Sequence, residues 1–143
     1  HLLVDIVSKG GNLLLNIAPS PLGDWVYEAY QRLEGISEWM EINSGAIYET
    51  HAVYPYKEDN ICYTENKNNG SINLIYLIEE NVKTMPEKII LNKYPKKEIE
   101  QITLLGTKDS IQWELNENQL IIKISESRRK NPPCEHAWVF TVK

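Results

Sequence analysis

The sequence predicts a mixed fold: an α/β segment over residues 1–50, followed by an all-β antiparallel sandwich over residues 51–143. Three observations lead there. Gly10-Gly11-Asn12-Leu13-Leu14-Leu15-Asn16-Ile17 reads as a helix stop followed at once by a strand apolar on both faces, the pattern of a strand covered on two sides. A helical apolar spacing resumes after it. Beyond His51 the period changes to short alternating runs, separated by turn residues about every eight to twelve positions.

Element by element, Leu2 to Lys9 reads as the end of a helix, with Gly10 and Gly11 supplying the permissive backbone of its stop. Asn12 to Ile17 is the expected strand, and Ala18-Pro19-Ser20-Pro21-Leu22-Gly23-Asp24 a turn segment. Asp24 suits the N-cap of a helix starting near Trp25, with Glu28 at its positive end. That helix carries Val26, Ala29 and Tyr30, Leu33, Ile36 and Met40 as one apolar stripe, and should stop near Asn43-Ser44-Gly45.

Seven strands are expected in the sandwich, near residues 60–65, 72–78, 88–91, 99–105, 111–115, 119–124 and 137–142. Asn68-Asn69-Gly70 and Asn116-Glu117-Asn118 are the clearest turns. Alternation places Ile111, Trp113 and Leu115, then Leu120, Ile122 and Ile124, then Trp138, Phe140 and Val142 on an inner face. Trp113 and Trp138 are therefore read as core rather than as sugar platforms.

Composition bounds the function. With 42% hydrophobic and 24% charged residues, the 143-residue chain resembles an ordinary globular domain. Residues 1–50 hold two bases against seven acids, which argues against a nucleic-acid surface, and Arg128-Arg129-Lys130 reads as a solvated turn. No apolar run approaches the ~20 residues of a membrane span. His1, His51 and His136 lack metal-ligand spacing, so no metal site is expected, and Cys62 and Cys134 read as isolated thiols, although a disulfide between them is open. The chain begins with His1 inside an amphipathic pattern, so the natural N-terminus is expected to lie earlier. Residues 1–50 would expose apolar faces if left alone, at roughly 1.5–3 kcal/mol per large side chain.

Leu3-Val4-Asp5-Ile6-Val7-Ser8-Lys9-Gly10-Gly11-Asn12-Leu13-Leu14-Leu15-Asn16-Ile17-Ala18-Pro19, then Gly23, Leu33 to Met40 and Ala46-Ile47-Tyr48 strongly resemble the C-terminal end of the catalytic barrel in glycoside hydrolase family 29, the α-L-fucosidases. The resemblance is dense over residues 2–50 and architectural beyond, because this family commonly places a β-sandwich after the barrel. Two positions depart from it. Ala18 stands where glycine is common, and Glu49 stands where glycine usually follows Ile-Tyr, which implies a turn without positive φ.

The resemblance makes residues 1–50 the last βα unit of a TIM-like barrel, with Asn12–Ile17 its final strand and 18–25 the loop at its catalytic end. It implies a retaining, exo-acting α-L-fucosidase that hydrolyses terminal α-L-fucose from glycans without metal or organic cofactor. The two catalytic carboxyl groups, about 5–5.5 Å apart, would lie upstream of this chain. No catalytic residue is expected here, and the chain alone should be inactive. Asn16, facing the barrel interior, either orients a catalytic carboxylate or satisfies a backbone group at the rim, the commoner use of such an amide. Asp5 and Asp24 are read as helix-surface and cap residues, and Glu58-Asp59, Glu79-Glu80 and Glu114 as solvated acids of turns and strand ends. The implied partners are a fucosylated glycan and the remaining barrel, in a secreted, periplasmic or lysosomal parent. The alternative is a non-catalytic carbohydrate-binding or structural sandwich module, whose ring candidates are Tyr54, Tyr56 and Tyr63, although Tyr54-Pro55-Tyr56 more often makes a packed connection.

Overall fold

The computed structural model describes residues 1–95, 98–117 and 119–143. Helix α1 (Leu2–Ser8) ends as expected. Gly10 takes φ +84°, its N–H donates to the Val7 carbonyl at 2.9 Å, and the Gly11 N–H donates to the Ile6 carbonyl at 2.9 Å. This paired closure satisfies two orphan carbonyls and requires a left-handed residue at position 10.

The strand expected over residues 12–17 does not form: these residues carry no regular element, and Leu14 is 84% and Leu15 51% exposed. A strand exists through its lateral hydrogen bonds, and no described residue supplies them to this segment. Helix α2 (Tyr27–Asn43) follows, but Asp24 does not cap it. Val26 holds the cap position in extended conformation with no side-chain cap bond. The Asp24 carbonyl instead accepts the Ser20 N–H at 2.6 Å in the preceding turn. Asp24 thus sits two residues too early for its carboxylate to reach the first helical N–H groups. The buried side of α2 is carried by Trp39 and Asn43, while the expected stripe member Ile36 is 43% exposed. A short 3₁₀ turn, Ser44–Ala46, ends the helix where the sequence predicts.

Among the described residues eight strands follow: β1 (Thr50–Glu58), β2 (Ile61–Asn66), β3 (Ile72–Leu77), β4 (Lys88–Leu91), β5 (Ile102–Leu104), β6 (Gln112–Asn116), β7 (Gln119–Lys123) and β8 (Ala137–Val142). A five-stranded antiparallel sheet runs β1-β2-β3-β8-β5, and a three-stranded one runs β4-β7-β6. The seven expected strands are all present. The eighth, β1, is an edge strand whose register with β2 breaks between Ala52 and Lys57. Helix α3 (Glu126–Lys130) replaces the turn expected at Arg128-Arg129-Lys130, its first turn held by the Ser125 hydroxyl accepting the Arg128 N–H at 3.4 Å. The Asn68-Asn69-Gly70 turn links β2 to β3, with the Asn66 side chain accepting the N–H groups of Asn68 and Asn69. The expected turn at Asn116-Glu117-Asn118 lies in part outside the described residues, which omit position 118. Glu49 corrects the expectation drawn from its side chain: it adopts φ +54° after all, and its carbonyl accepts the Lys67 N–H at 2.9 Å.

The large sheet is covered on both faces. Ile61, Tyr63, Ile72, Leu74, Trp138 and Phe140 meet Ile89, Leu91, Leu120 and Ile122 of the small sheet to form the main core. Trp113 packs against this core and Trp138 lies within it, as their apolar phase predicts. On the other face, Cys62, Ile75, Leu77, Ala137 and Val139 pack against Val4, Trp39, Ala46 and Ile47. The Trp39 indole N–H donates to the Ala137 carbonyl at 2.9 Å, which ties α2 to β8. Buried polar groups on this face are paired in sequence across the sheet: Thr64 donates to the Ala46 carbonyl, Asn73 to the Thr64 hydroxyl and Thr141 to Asn73.

Candidate functional site

Residues 12–30 present the most unusual surface of the molecule. Beside Leu14 and Leu15, Leu22 is 91% exposed, and Trp25, Val26, Tyr27 and Tyr30 all stand open. The Trp25 and Tyr30 rings touch, with centroids 5.5 Å apart and planes tilted by 48°. Asn16 lies on the same segment and is exposed. So concentrated an apolar surface marks an interaction site.

The acids of the chain are spread rather than paired. Asp5 accepts from Lys9 at 2.6 Å with Lys57 3.8 Å away, and the Lys9 hydrogen bond holds its carboxyl below the usual carboxylate range. Glu114 pairs with Lys123 across the small sheet, which also lowers its pKa. Glu79 and Glu80 line an open cavity of about 970 Å³ with His1, Lys57, Cys134 and His136. Glu58 departs from its expected solvated role. It is buried, and its carboxylate accepts the Tyr63 hydroxyl at 3.1 Å, the Asn92 N–H at 2.8 Å, the Lys93 N–H at 3.1 Å and the Asn92 side-chain amide at 3.4 Å. A carboxylate so engaged anchors the loop after β4 onto the end of β1, and has no lone pair turned to a substrate. Among the described residues no three His, Cys, Asp or Glu gather as metal ligands, and no helix is long and apolar enough to cross a membrane.

The three tyrosines named for sugar binding separate. Tyr63 is fully buried, and burial together with the Glu58 carboxylate raises its pKa far above the usual phenol range. Tyr54 and Tyr56 are exposed, in the stretch of β1 where pairing is interrupted, and meet edge to face with centroids 6.0 Å apart. Tyr54-Pro55-Tyr56 is thus not a packed connection among the described residues, and two perpendicular rings make no flat platform.

Residues 1–45 match the family model described as Alpha-L-fucosidase, and residues 55–143 match the Alpha-L-fucosidase C-terminal domain. The chain belongs to the α-L-fucosidase family. Among curated relatives of this chain, the alpha-L-fucosidase of Branchiostoma floridae is 28% identical, covering 99% of the chain and 31% of the relative. The tissue alpha-L-fucosidase of Mus musculus is 32% identical over 96% of the chain and 30% of its own length. The plasma alpha-L-fucosidase of Homo sapiens is 27% identical, at 98% and 30%. Among solved structures, the Bacteroides thetaiotaomicron GH29 alpha-L-fucosidase superposes with a TM-score of 0.79 at 26% identity, covering 98% of this chain and 30% of that one. The Thermotoga maritima alpha-fucosidase in complex with fucose gives 0.80 at 26% identity, covering 99% and 33%. The chain therefore spans about 30% of the length of the curated relatives it matches.

Both thiols of the chain are free. Cys62 is buried beneath α1 and Cys134 is half-buried, donating to the Ala137 carbonyl at 3.2 Å. Burial raises both pKa values. The thiolate is the reactive form, so at pH 8 both cysteines are expected to react with a disulfide reagent at least about tenfold more slowly than an unfolded control, and fully in denaturant. A folded-state pKa above the unfolded one favours folding below the unfolded value, and this contribution fades as pH rises through the folded value. The two thiols thus weaken the fold at alkaline pH. Immediate native titration of two thiols would refute the assignment.

Proposed function

We propose that this chain is the C-terminal part of a retaining, exo-acting α-L-fucosidase that hydrolyses terminal α-L-fucose from glycans, its catalytic carboxyl groups lying outside these residues. The observation that carries this reading is the match of both parts of the chain to consecutive fucosidase models. The dispersal of its own acids agrees with it. In this reading residues 12–17 are the last strand of a (β/α)8 barrel and the remaining barrel supplies their lateral partners. Their exposed leucines support this, because apolar side chains at such density belong against protein. Residues 1–50 are then the end of the catalytic barrel and residues 51–143 the appended sandwich. Asn16, next to the strand's catalytic end, satisfies a rim backbone group or orients a catalytic carboxylate.

Retention rests on two carboxyl groups, one attacking the anomeric carbon and the other protonating the leaving oxygen and then activating water. The Bacteroides thetaiotaomicron enzyme trapped as a covalent intermediate with 2-fluoro-fucosyl fluoride supports the same course here. Relatives named for plasma and tissue support an extracytoplasmic parent.

The full-length protein is expected to release fucose from an aryl α-L-fucoside with the α-anomer formed first, as followed by proton NMR. The 143-residue chain alone is expected to release none. A β-anomer, or turnover by the isolated chain that is abolished by changing one of its acids, overturns the reading.

A further inference from the structure

We propose that the Asn69-Gly70 peptide is a site of spontaneous covalent modification, closing to a succinimide and opening to aspartate and isoaspartate, and that the hydrogen bonds of the β2–β3 turn set its rate. Asn69 is the one asparagine of the chain followed by glycine. The reaction needs only these two neighbours. The Gly70 nitrogen, once hydroxide has taken its proton, attacks the Asn69 side-chain carbonyl carbon; a C–N bond forms, and the side-chain nitrogen leaves as ammonia after gaining a proton from water. Water then adds to either carbonyl of the ring. One opening gives aspartate, and the other routes the backbone through the side-chain carbon as isoaspartate. A Cβ on the second residue hinders the attack, and glycine has none. Asn12, Asn16, Asn60, Asn73 and Asn81 are each followed by Leu, Ile or Val, whose bulk slows the same step.

The turn is closed by residues 66–71 themselves. The Asn66 N–H donates to the Ser71 carbonyl at 2.9 Å, the Gly70 N–H donates to the Asn66 carbonyl at 2.9 Å, and the Asn66 side-chain oxygen accepts the N–H groups of Asn68 and Asn69 at 2.9 and 3.3 Å. Asn69 folds its own side-chain oxygen onto the Ser71 N–H at 2.9 Å, an Asx turn closed around Gly70. Gly70 takes φ +67°, so the residue that makes the turn possible also makes its asparagine reactive. Two of these bonds act in opposite senses. The Ser71 N–H draws charge from the Asn69 side-chain carbonyl, which favours attack on it. The bond from Gly70 to the Asn66 carbonyl holds the proton whose removal starts the reaction. Proton removal is obligatory whereas polarisation only assists, so the closed turn is the slow state and local opening releases the chemistry. Isoaspartate adds one backbone carbon and one negative charge, and the lengthened turn no longer fits the Glu65 to Ile72 pairing that flanks it.

The test ages the full-length protein at mildly alkaline pH and follows Asn69 by peptide mapping with mass spectrometry, using a synthetic peptide of residues 64–73 as the unfolded reference. Isoaspartate is counted by methyl transfer from an isoaspartyl methyltransferase. Asn69 is expected to convert before any other asparagine, about tenfold more slowly than in the peptide. Asn66→Ala removes the acceptor of two turn N–H groups and is expected to raise the rate several-fold, while Asn66→Asp keeps an acceptor oxygen and should stay near wild type. Denaturant below the unfolding transition should speed the wild type in the same way, a measurement that stands even where the alanine variant does not fold. Asn69→Gln should abolish conversion, because the six-membered ring closes far more slowly. Another asparagine reacting first, or no conversion at Asn69 after many lifetimes of the peptide, overturns the site. A native rate equal to that of the peptide, or one unmoved by both Asn66→Ala and denaturant, overturns the role of the turn.

Discussion

Replacing Trp138 by alanine is expected to destabilise the protein by about 3–5 kcal/mol, the largest single effect in the chain. Trp138 is buried in β8, its ring stacks on Tyr76 of β3 with centroids 5.4 Å apart, and Tyr76 is its register partner. Its indole N–H donates to the Cys134 carbonyl at 3.0 Å. Alanine would leave a cavity between the two sheets and also remove the donor to that carbonyl, so two costs act together. Equilibrium denaturation should show a lower midpoint than wild type, whereas Ile90→Ala, at a half-exposed position of the small sheet, should stay within about 0.5 kcal/mol. A loss below about 1 kcal/mol for Trp138→Ala would remove the claim that the inter-sheet core depends on this ring.

The second large effect is expected at Glu58. Alanine there removes the acceptor of the Tyr63 hydroxyl and of the Asn92 and Lys93 backbone N–H groups at once. Leaving buried donors unsatisfied costs about 1–3 kcal/mol each, and some of them will find water, so a net loss of about 3 kcal/mol is expected. Glu58→Gln keeps one acceptor oxygen and should fall between wild type and alanine. The order wild type, glutamine, alanine in denaturation midpoint is the readout. Equal stability of all three would show that the loop at Asn92 is not held by this carboxylate.

The sequence conveyed strands wherever a short apolar run met clear breaks, and β4 and β8 were legible to the residue: Lys88–Leu91 alternates in burial, and Ala137–Val142 is a short β-branched and aromatic run covered on both faces. β1 escaped because Pro55 sits inside it and polar and apolar residues do not alternate. Its strand character comes from pairing with β2 at both ends of an interruption, and that pairing is a tertiary fact. Residues 12–17 erred the other way: local pattern specified a strand, but strand formation needs neighbours the described chain does not provide. Asp24 has the right chemistry for a cap and failed by two positions, because the turn at Ser20 fixes where the helix begins. Glu58 was the most informative miss. Nothing local separates it from Asp59, and only the fold brings Asn92 and Tyr63 to its two oxygens. The family, by contrast, was legible in one short run of residues, while the chemistry of that family lies in groups this run does not contain.

The large sheet separates its two neighbours by the arithmetic of the pleat. Along β8, Trp138, Phe140 and Val142 face the small sheet, while Ala137 and Val139 face the helices; along β3, Ile72 and Leu74 face one way and Ile75 and Leu77 the other. Within any one strand, whether a residue number is odd or even is thus an address, although the sense reverses on β2, where Ile61 and Tyr63 face the small sheet and Cys62 the helices. Substitutions one position apart on the same strand report to different layers, and adaptation of the helical side to whatever it must fit can proceed without disturbing the packing between the sheets.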